Sequence, residues 1–321
     1  MAFELAQLVQ SVLKRERAAI AEAISRVEDV RPRMLAGQRE LIRRLEAETP
    51  AASSVVGLTG PPGVGKSTLA GALIQHCLEQ GSGVGMVAVD PSSRRSGGAL
   101  LGDRARLRFE STDRVFVRSM ASREQLGGLA PATRAAVVVL RAAFPWTLVE
   151  TVGVGQSEVD VETVADSVVL VLQPGSGDAL QFMKAGILEI PDVLVIHKWD
   201  LGPPAQLTRA ELESMLSLRT FPDPGWSPPV LGVSAQTGHG VPELAAEIGR
   251  HRAHLEESGE LERRRRGQRE AWVMELFERR YGSFGSERLG GREALRQLCA
   301  ELEGTALDAF SQLSSRAGLE P

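Results

Sequence analysis

The chain has 321 residues, 43% of them hydrophobic, enough to bury one full α/β core and carry further elements besides. Its formal net charge of −4 and pI near 5.9 give no broad positive field, which argues against nucleic acid or an anionic membrane surface as a principal partner. Cys77 and Cys299 lie far apart with no nearby Cys/His cluster, so neither a disulfide framework nor a thiolate metal site is indicated, and both read as small core residues.

In residues 1–50, Leu5, Leu8, Val9, Val12 and Leu13, followed by Ile20, Ile24 and Val27, have the spacing of an amphipathic helix and predict a helical leader that must pack on something. Glu4 and the charges from Lys14 to Arg17 break up any signal-peptide apolar region. No later apolar run approaches membrane-spanning length, so a cytoplasmic location is expected. Pro50, in the polar stretch Glu46 to Ser54, marks the boundary with a domain over 51–255. There, short apolar runs separated by glycine-rich turns predict strands at Val55–Thr59, Val84–Val89, Val115–Val117, Thr147–Glu150, Ser167–Leu172, Val193–His197 and Val230–Ser234. Ser67–Gln80, Pro131–Phe144, Ala179–Ile190, Leu207–Arg219 and Val241–His254 read as the intervening helices. The alternation is that of a doubly wound, mainly parallel sheet, with ligands at the C-terminal ends of the strands. Beyond Glu256 the basic run Arg263 to Arg266 reads as a solvated helix face. Trp272, Met274, Leu276 and Phe277 on helical spacing make 256–321 a candidate helical dimerisation arm.

The strongest signal is Gly60-Pro61-Pro62-Gly63-Val64-Gly65-Lys66-Ser67-Thr68, which follows the first predicted strand and opens a helix. In that context the loop's backbone N–H groups and the helix N-terminus bind phosphate, Lys66 reaches the β and γ oxygens, and the Ser67 hydroxyl binds Mg²⁺. The fold class is therefore that of a P-loop NTPase. Glu150 closes an apolar strand just before Thr151-Val152-Gly153, the position of a metal-holding carboxylate on a neighbouring strand. Asp90 and Asp103 bracket a glycine-rich loop that could close on the γ-phosphate, although Asp90-Pro91-Ser92 is equally an ordinary turn. The residues themselves point to Ser67 and Glu150 as metal ligands, and to Lys66 and Glu150 as catalytic groups.

His197-Lys198-Trp199-Asp200 ends the sixth predicted strand and aligns with the Asn-Lys-x-Asp signature of GTPases. Asp200 can accept from guanine N1–H and from the N2 amino group, a pairing that adenine cannot offer. Lys198 would lie along the base, and the backbone of Ser234-Ala235-Gln236 would meet guanine O6. His197 departs from the usual Asn, which ties this loop to the phosphate loop, and imidazole replaces only part of that hydrogen bonding. GTP or GDP with Mg²⁺ is the expected ligand set.

Asp90-Pro91-Ser92-Ser93, Gly97-Gly98-Ala99-Leu100-Leu101-Gly102-Asp103, Leu126-Gly127-Gly128, Ala132-Thr133-Arg134 and the run Glu150-Thr151-Val152-Gly153-Val154-Gly155-Gln156-Ser157-Glu158 together resemble the methylmalonyl-CoA mutase-associated GTPase family, called MeaB or ArgK. The resemblance implies a homodimeric G-protein chaperone that gates loading and protection of adenosylcobalamin on an acyl-CoA mutase, with a third switch at about Gly177–Lys184. It also implies magnesium and switch carboxylates at Asp90, Asp103 and Glu150, so that the expected metal set is Ser67, Asp90, Asp103 and Glu150 and the candidate catalytic groups are Lys66, Asp103 and Glu150. An older label of such proteins as transport ATPases or kinases finds little support, because Asp200 argues for guanine. Two alternatives stay open. One is a nickel-insertion GTPase, which shares the Glu-x-x-Gly strand end. The other is a nucleotide-binding mutase partner with negligible hydrolysis.

Overall fold

The computed structural model describes residues 2–29, 31, 34–90, 113–121, 131–151, 153, 160–175, 190–217, 223 and 225–320, with the backbone alone for Ala2, Phe3, Asp90 and Ala121. Seven strands make one all-parallel sheet: β1 Ser54–Thr59, β2 Val84–Asp90, β3 Val115–Ala121, β4 Trp146–Glu150, β5 Ser167–Leu172, β6 Val193–His197 and β7 Val230–Val233. Their order is β3-β2-β4-β1-β5-β6-β7, so β1 lies at the centre between β4 and β5. Every residue of β1, β5 and β6 is buried, as expected of strands covered on both faces.

The period of two along each strand assigns the layers. Val56, Leu58, Val169, Val171 and Val195 face α4 (Lys66–Glu79) and α7 (Val241–Glu257), where Leu69, Leu73, Ile74, Leu244 and Ile248 complete one core. Val55, Val87, Val149 and Val168 face the other way, into a core shared by α5 (Pro131–Ala143), the leader and the C-terminal helices. The edge of that second face, Leu170, Leu172, Leu194 and Ile196, packs on α6 (Pro203–Leu216). The helix expected from Leu207 begins four residues earlier. Pro203 and Pro204 occupy its first turn, where a missing N–H costs nothing, rather than breaking it.

The leader is three helices, α1 (Ala2–Leu13), α2 (Arg17–Val27) and α3 (Leu35–Glu48), with the chain turning between the first two at Arg15, whose φ is 63°. The C-terminal segment forms α8 (Glu260–Arg288, kinked at Gly282), α9 (Arg292–Glu301) and α10 (Ala306–Arg316). Thr305 caps α10 in a reciprocal box with Asp308. Trp272, Phe277, Cys299, Phe310 and Leu313 are buried in the same core as the leader, so apolar residues that suggest a dimer contact are covered by their own chain.

The basic run is only in part a solvated face: Arg263 and Arg266 are exposed, but Arg264 and Arg265 turn to buried carboxylates. Arg265 donates to both oxygens of Asp166 at 2.8 Å, and Arg264 donates to Asp192 at 2.8 and 3.0 Å. Arg252 adds a bond to Asp166, and His251 Nε2 lies 3.2 Å from Asp192. These aspartates immediately precede β5 and β6, and each also accepts a strand N–H, from Val55 and Val168 respectively. Burial works to raise both carboxyls. The bonds from Arg265 to one, and from His251 and Arg264 to the other, outweigh it and hold both below the usual carboxylate range.

Because both folded-state carboxyls titrate lower than they would unfolded, their stabilisation is complete above about pH 4 and is lost as pH falls through and below that range. Asp166→Asn is expected to cost about 3 kcal/mol in urea unfolding at neutral pH and to flatten the acid limb of the stability curve. A loss below about 1 kcal/mol would class these pairs with solvated ones.

Candidate functional site

Parallel strands deliver their C-terminal ends to one edge, and β1 hands the chain directly to the phosphate loop. Gly60, Gly63 and Gly65 have φ of 136°, 80° and 100°, the left-handed backbone that turns successive N–H groups inward before α4 begins at Lys66. Lys66 is buried, and its Nζ donates to the Gly60 and Pro61 carbonyl oxygens at 2.7 and 3.0 Å. The ammonium therefore lies within the curl of the loop, at the positive end of a helix, where phosphate oxygens are drawn.

Glu150 pairs in register with Leu58 on one side and Ala88 on the other, which sets its buried carboxylate beside the loop. Its Oε1 accepts from the Ser67 hydroxyl at 2.5 Å. Asp90 ends β2 two residues beyond Ala88, so its backbone lies along the same edge. Asp103, the Gly97–Gly102 loop, the segment Val154–Glu158 and the expected third switch lie outside the described residues. Gly153, with φ 81°, is the point of closest approach from β4: a Cβ there would lie 2.2 Å from the Gly60 oxygen and 2.4 Å from Lys66 Nζ.

The base loop follows β6. Lys198 adopts the left-handed conformation (φ 59°, ψ 44°), a strain of about 1–2 kcal/mol for a residue with a Cβ. Beyond it, the Trp199 indole lies flat on Gly232 of β7, and Asp200 is exposed with Oδ1 accepting from Ser234 Oγ at 2.5 Å. That hydrogen bond is the main reason the Asp200 carboxyl titrates below its usual range, so it is an acceptor at neutral pH. Ser234 Oγ in turn accepts from Thr237 N–H, fixing the Ser234-Ala235-Gln236 turn against the same aspartate.

His197 does more than the sequence suggests. Its Nδ1 is 2.7 Å from the Val64 carbonyl oxygen of the phosphate loop, and its Nε2 is 3.4 Å from the Ala235 backbone nitrogen. Both loops that the usual Asn would join are thus joined here. Sequence reasoning also missed Gln173, the residue after β5, whose Oε1 accepts from Lys198 Nζ at 2.6 Å. Adjacency of β5 and β6 is the signal that could have found it, because residues one step beyond neighbouring parallel strands meet.

A doubly wound parallel sheet with a phosphate loop on its central strand and a guanine-type carboxylate two strands away is that of a P-loop GTPase, an enzyme that hydrolyses GTP. The family described as methylmalonyl Co-A mutase-associated GTPase MeaB matches residues 20–283, and the chain belongs to it. A protein of Pyrococcus abyssi named as a GTPase is 46% identical over 264 residues, 81% of this chain and 80% of its own length. The mouse protein named methylmalonic aciduria type A homolog, mitochondrial, is 37% identical over 287 residues, 85% of this chain and 69% of its own length. A solved structure titled LAO/AO transport system kinase superposes with a TM-score of 0.69 at 26% identity, covering 97% of this chain and 96% of that one.

Gly153→Ala tests the close approach. The added methyl has no space against the Gly60 oxygen, so nucleotide affinity should fall at least tenfold while the thermal unfolding of the ligand-free protein shifts by only a few degrees. Unchanged GTP affinity would mean that β4 does not position the phosphate loop.

Proposed function

We propose that this GTPase is a magnesium-dependent chaperone of an adenosylcobalamin-dependent acyl-CoA mutase of the methylmalonyl-CoA type, gating cofactor loading and protection through its nucleotide cycle. The observation that carries the reading is the family match over residues 20–283. The names of relatives such as the mouse methylmalonic aciduria type A homolog support it. A cytoplasmic location belongs to the same proposal; among the described residues no helix is long and apolar enough to cross a membrane. So does a homodimer, for which Phe284, 60% exposed on α8, is an available apolar side chain.

The donor chemistry fits magnesium. Ser67 Oγ and the Glu150 carboxylate are hard oxygen ligands 2.5 Å apart beside the phosphate loop, and Asp90 and Asp103 are proposed to complete the set. Bound there, Mg²⁺ would neutralise charge on the β and γ oxygens. The chain's own residues bind and orient. Backbone N–H groups from Gly63 to Thr68 hold the phosphates, and Lys66 exchanges its carbonyl partners for the β and γ oxygens. Lys198 lies along the base, Asp200 accepts from the Watson–Crick edge, and the backbone of the Ser234-Ala235-Gln236 turn reaches O6.

The nickel-insertion alternative needs thiolate ligands. Cys77 and Cys299 are buried, and burial pushes both thiols up to about 11, so neither offers one.

Competition binding should find ATP at least a hundredfold weaker than GTP, and Asp200→Asn should move preference towards xanthine nucleotides, whose C2 carbonyl meets the new N–H donor. Equal affinity for ATP and GTP would remove the guanine assignment.

For the partner, GTP hydrolysis by the parent should rise several-fold when a cobalamin-dependent mutase of the same genome is added. Lys184→Ala, within the proposed third switch, should blunt the rise while leaving the basal rate nearly unchanged. No response to any such mutase would overturn the chaperone reading.

A further inference from the structure

β6 inserts His197 between the two loops of the base site, and its partners have fixed roles. The Val64 carbonyl oxygen, 2.7 Å from Nδ1, can only accept, and the Ala235 backbone nitrogen, 3.4 Å from Nε2, can only donate. Nδ1 therefore carries the proton and Nε2 presents its lone pair. Burial lowers the proton affinity of the ring by more than the Val64 carbonyl raises it, which keeps the imidazole neutral. The ring also presses on the phosphate loop itself: a Cβ at Gly65 would lie 2.5 Å from its Cε1 and 2.6 Å from its Nδ1.

A neutral imidazole has one N–H, and here it is used by Val64. Guanine offers two acceptors beside its Watson–Crick edge, O6 and N7. With no proton left on His197, the ring gives N7 nothing. A side-chain amide at the same position has two N–H groups and a carbonyl, so it could keep both ties and still hold one donor in reserve.

We propose that His197 is a positioning residue locked as the Nδ1–H tautomer, bracing the phosphate loop against the Ser234-Ala235-Gln236 turn while leaving guanine N7 unread. Base selection then rests on Asp200 and on the backbone N–H groups of that turn which His197 does not hold. The inference builds on the guanine reading of the site, but its first test needs no nucleotide.

Nitrogen-15 NMR of the full chain, labelled at its five histidines, should place His197 in the Nδ1–H neutral form, with its signals assigned by their loss in His197→Asn. An Nε2–H tautomer overturns the proposal. In equilibrium binding, the parent should hold GTP and 7-deaza-GTP within twofold of each other. His197→Ala should weaken both by the same factor, because only the brace is lost. His197→Asn should bind 7-deaza-GTP about three- to tenfold more weakly than GTP, the worth of one hydrogen bond to the restored N7. A variant that merely disturbs the fold would move both ligands together and leave their ratio at one, so a ratio of one in a folded His197→Asn overturns the donor count. A parent that binds 7-deaza-GTP threefold or more weakly than GTP does so as well, whether or not the Asn variant folds. If neither guanine ligand outcompetes ATP on the parent, the guanine reading fails and the tautomer result stands apart from it.

Discussion

A loop that commits its N–H groups to phosphate leaves its carbonyls to find donors elsewhere. In this chain nearly every one is accounted for by name. Gly60 and Pro61 oxygens accept from Lys66 Nζ, Gly63 oxygen from Lys198 Nζ at 3.4 Å, Val64 oxygen from His197, and Gly65 oxygen from Leu69 N–H in the first turn of α4. Two of these donors stand on consecutive residues at the end of β6. The shape of the phosphate cradle is thus set in part by the strand that carries base recognition, and the two halves of the nucleotide site are one hydrogen-bonded object.

The opposite edge of the sheet is held by a different chemistry. Asp166 and Asp192 open β5 and β6, and the guanidinium groups that meet them come from α7 and α8. The C-terminal helices are therefore fastened to the same two strands whose other ends carry Gln173 and His197. Arg134 on α5 is held in a similar way: it binds the Thr163 carbonyl and Glu275 of α8. Charge here locates the arm, and hydrophobic burial of Trp272, Phe277 and Phe310 fixes it.

Most of the sheet was legible because its central strands are continuous apolar runs and its turns are glycine-rich, so strand positions at β1, β5 and β6 agree to within a residue. That Glu150, Ser67 and Asp200 would lie at the C-terminal edge of the sheet was legible because each occupies a fixed step from a strand end. What escaped involves partners remote in sequence. Arg265 and Asp166 are separated by 99 residues, and nothing local to a run of arginines distinguishes a buried pair from a solvated face. The second bond of His197 escaped because a residue type lists what a side chain can do, whereas the backbone around Val64 and Ala235 decides which of those capacities is used.

Gln173 gives the edge of the sheet a further property. One side-chain oxygen, immediately beyond β5, accepts from the ammonium of the lysine that follows β6. Anything that displaces Gln173 changes the free energy of keeping Lys198 in place, and anything that moves Lys198 alters, by the same amount, the tendency of Gln173 to stay. The exits of β5 and β6 are thereby two readings of one equilibrium, joined by a 2.6 Å bond.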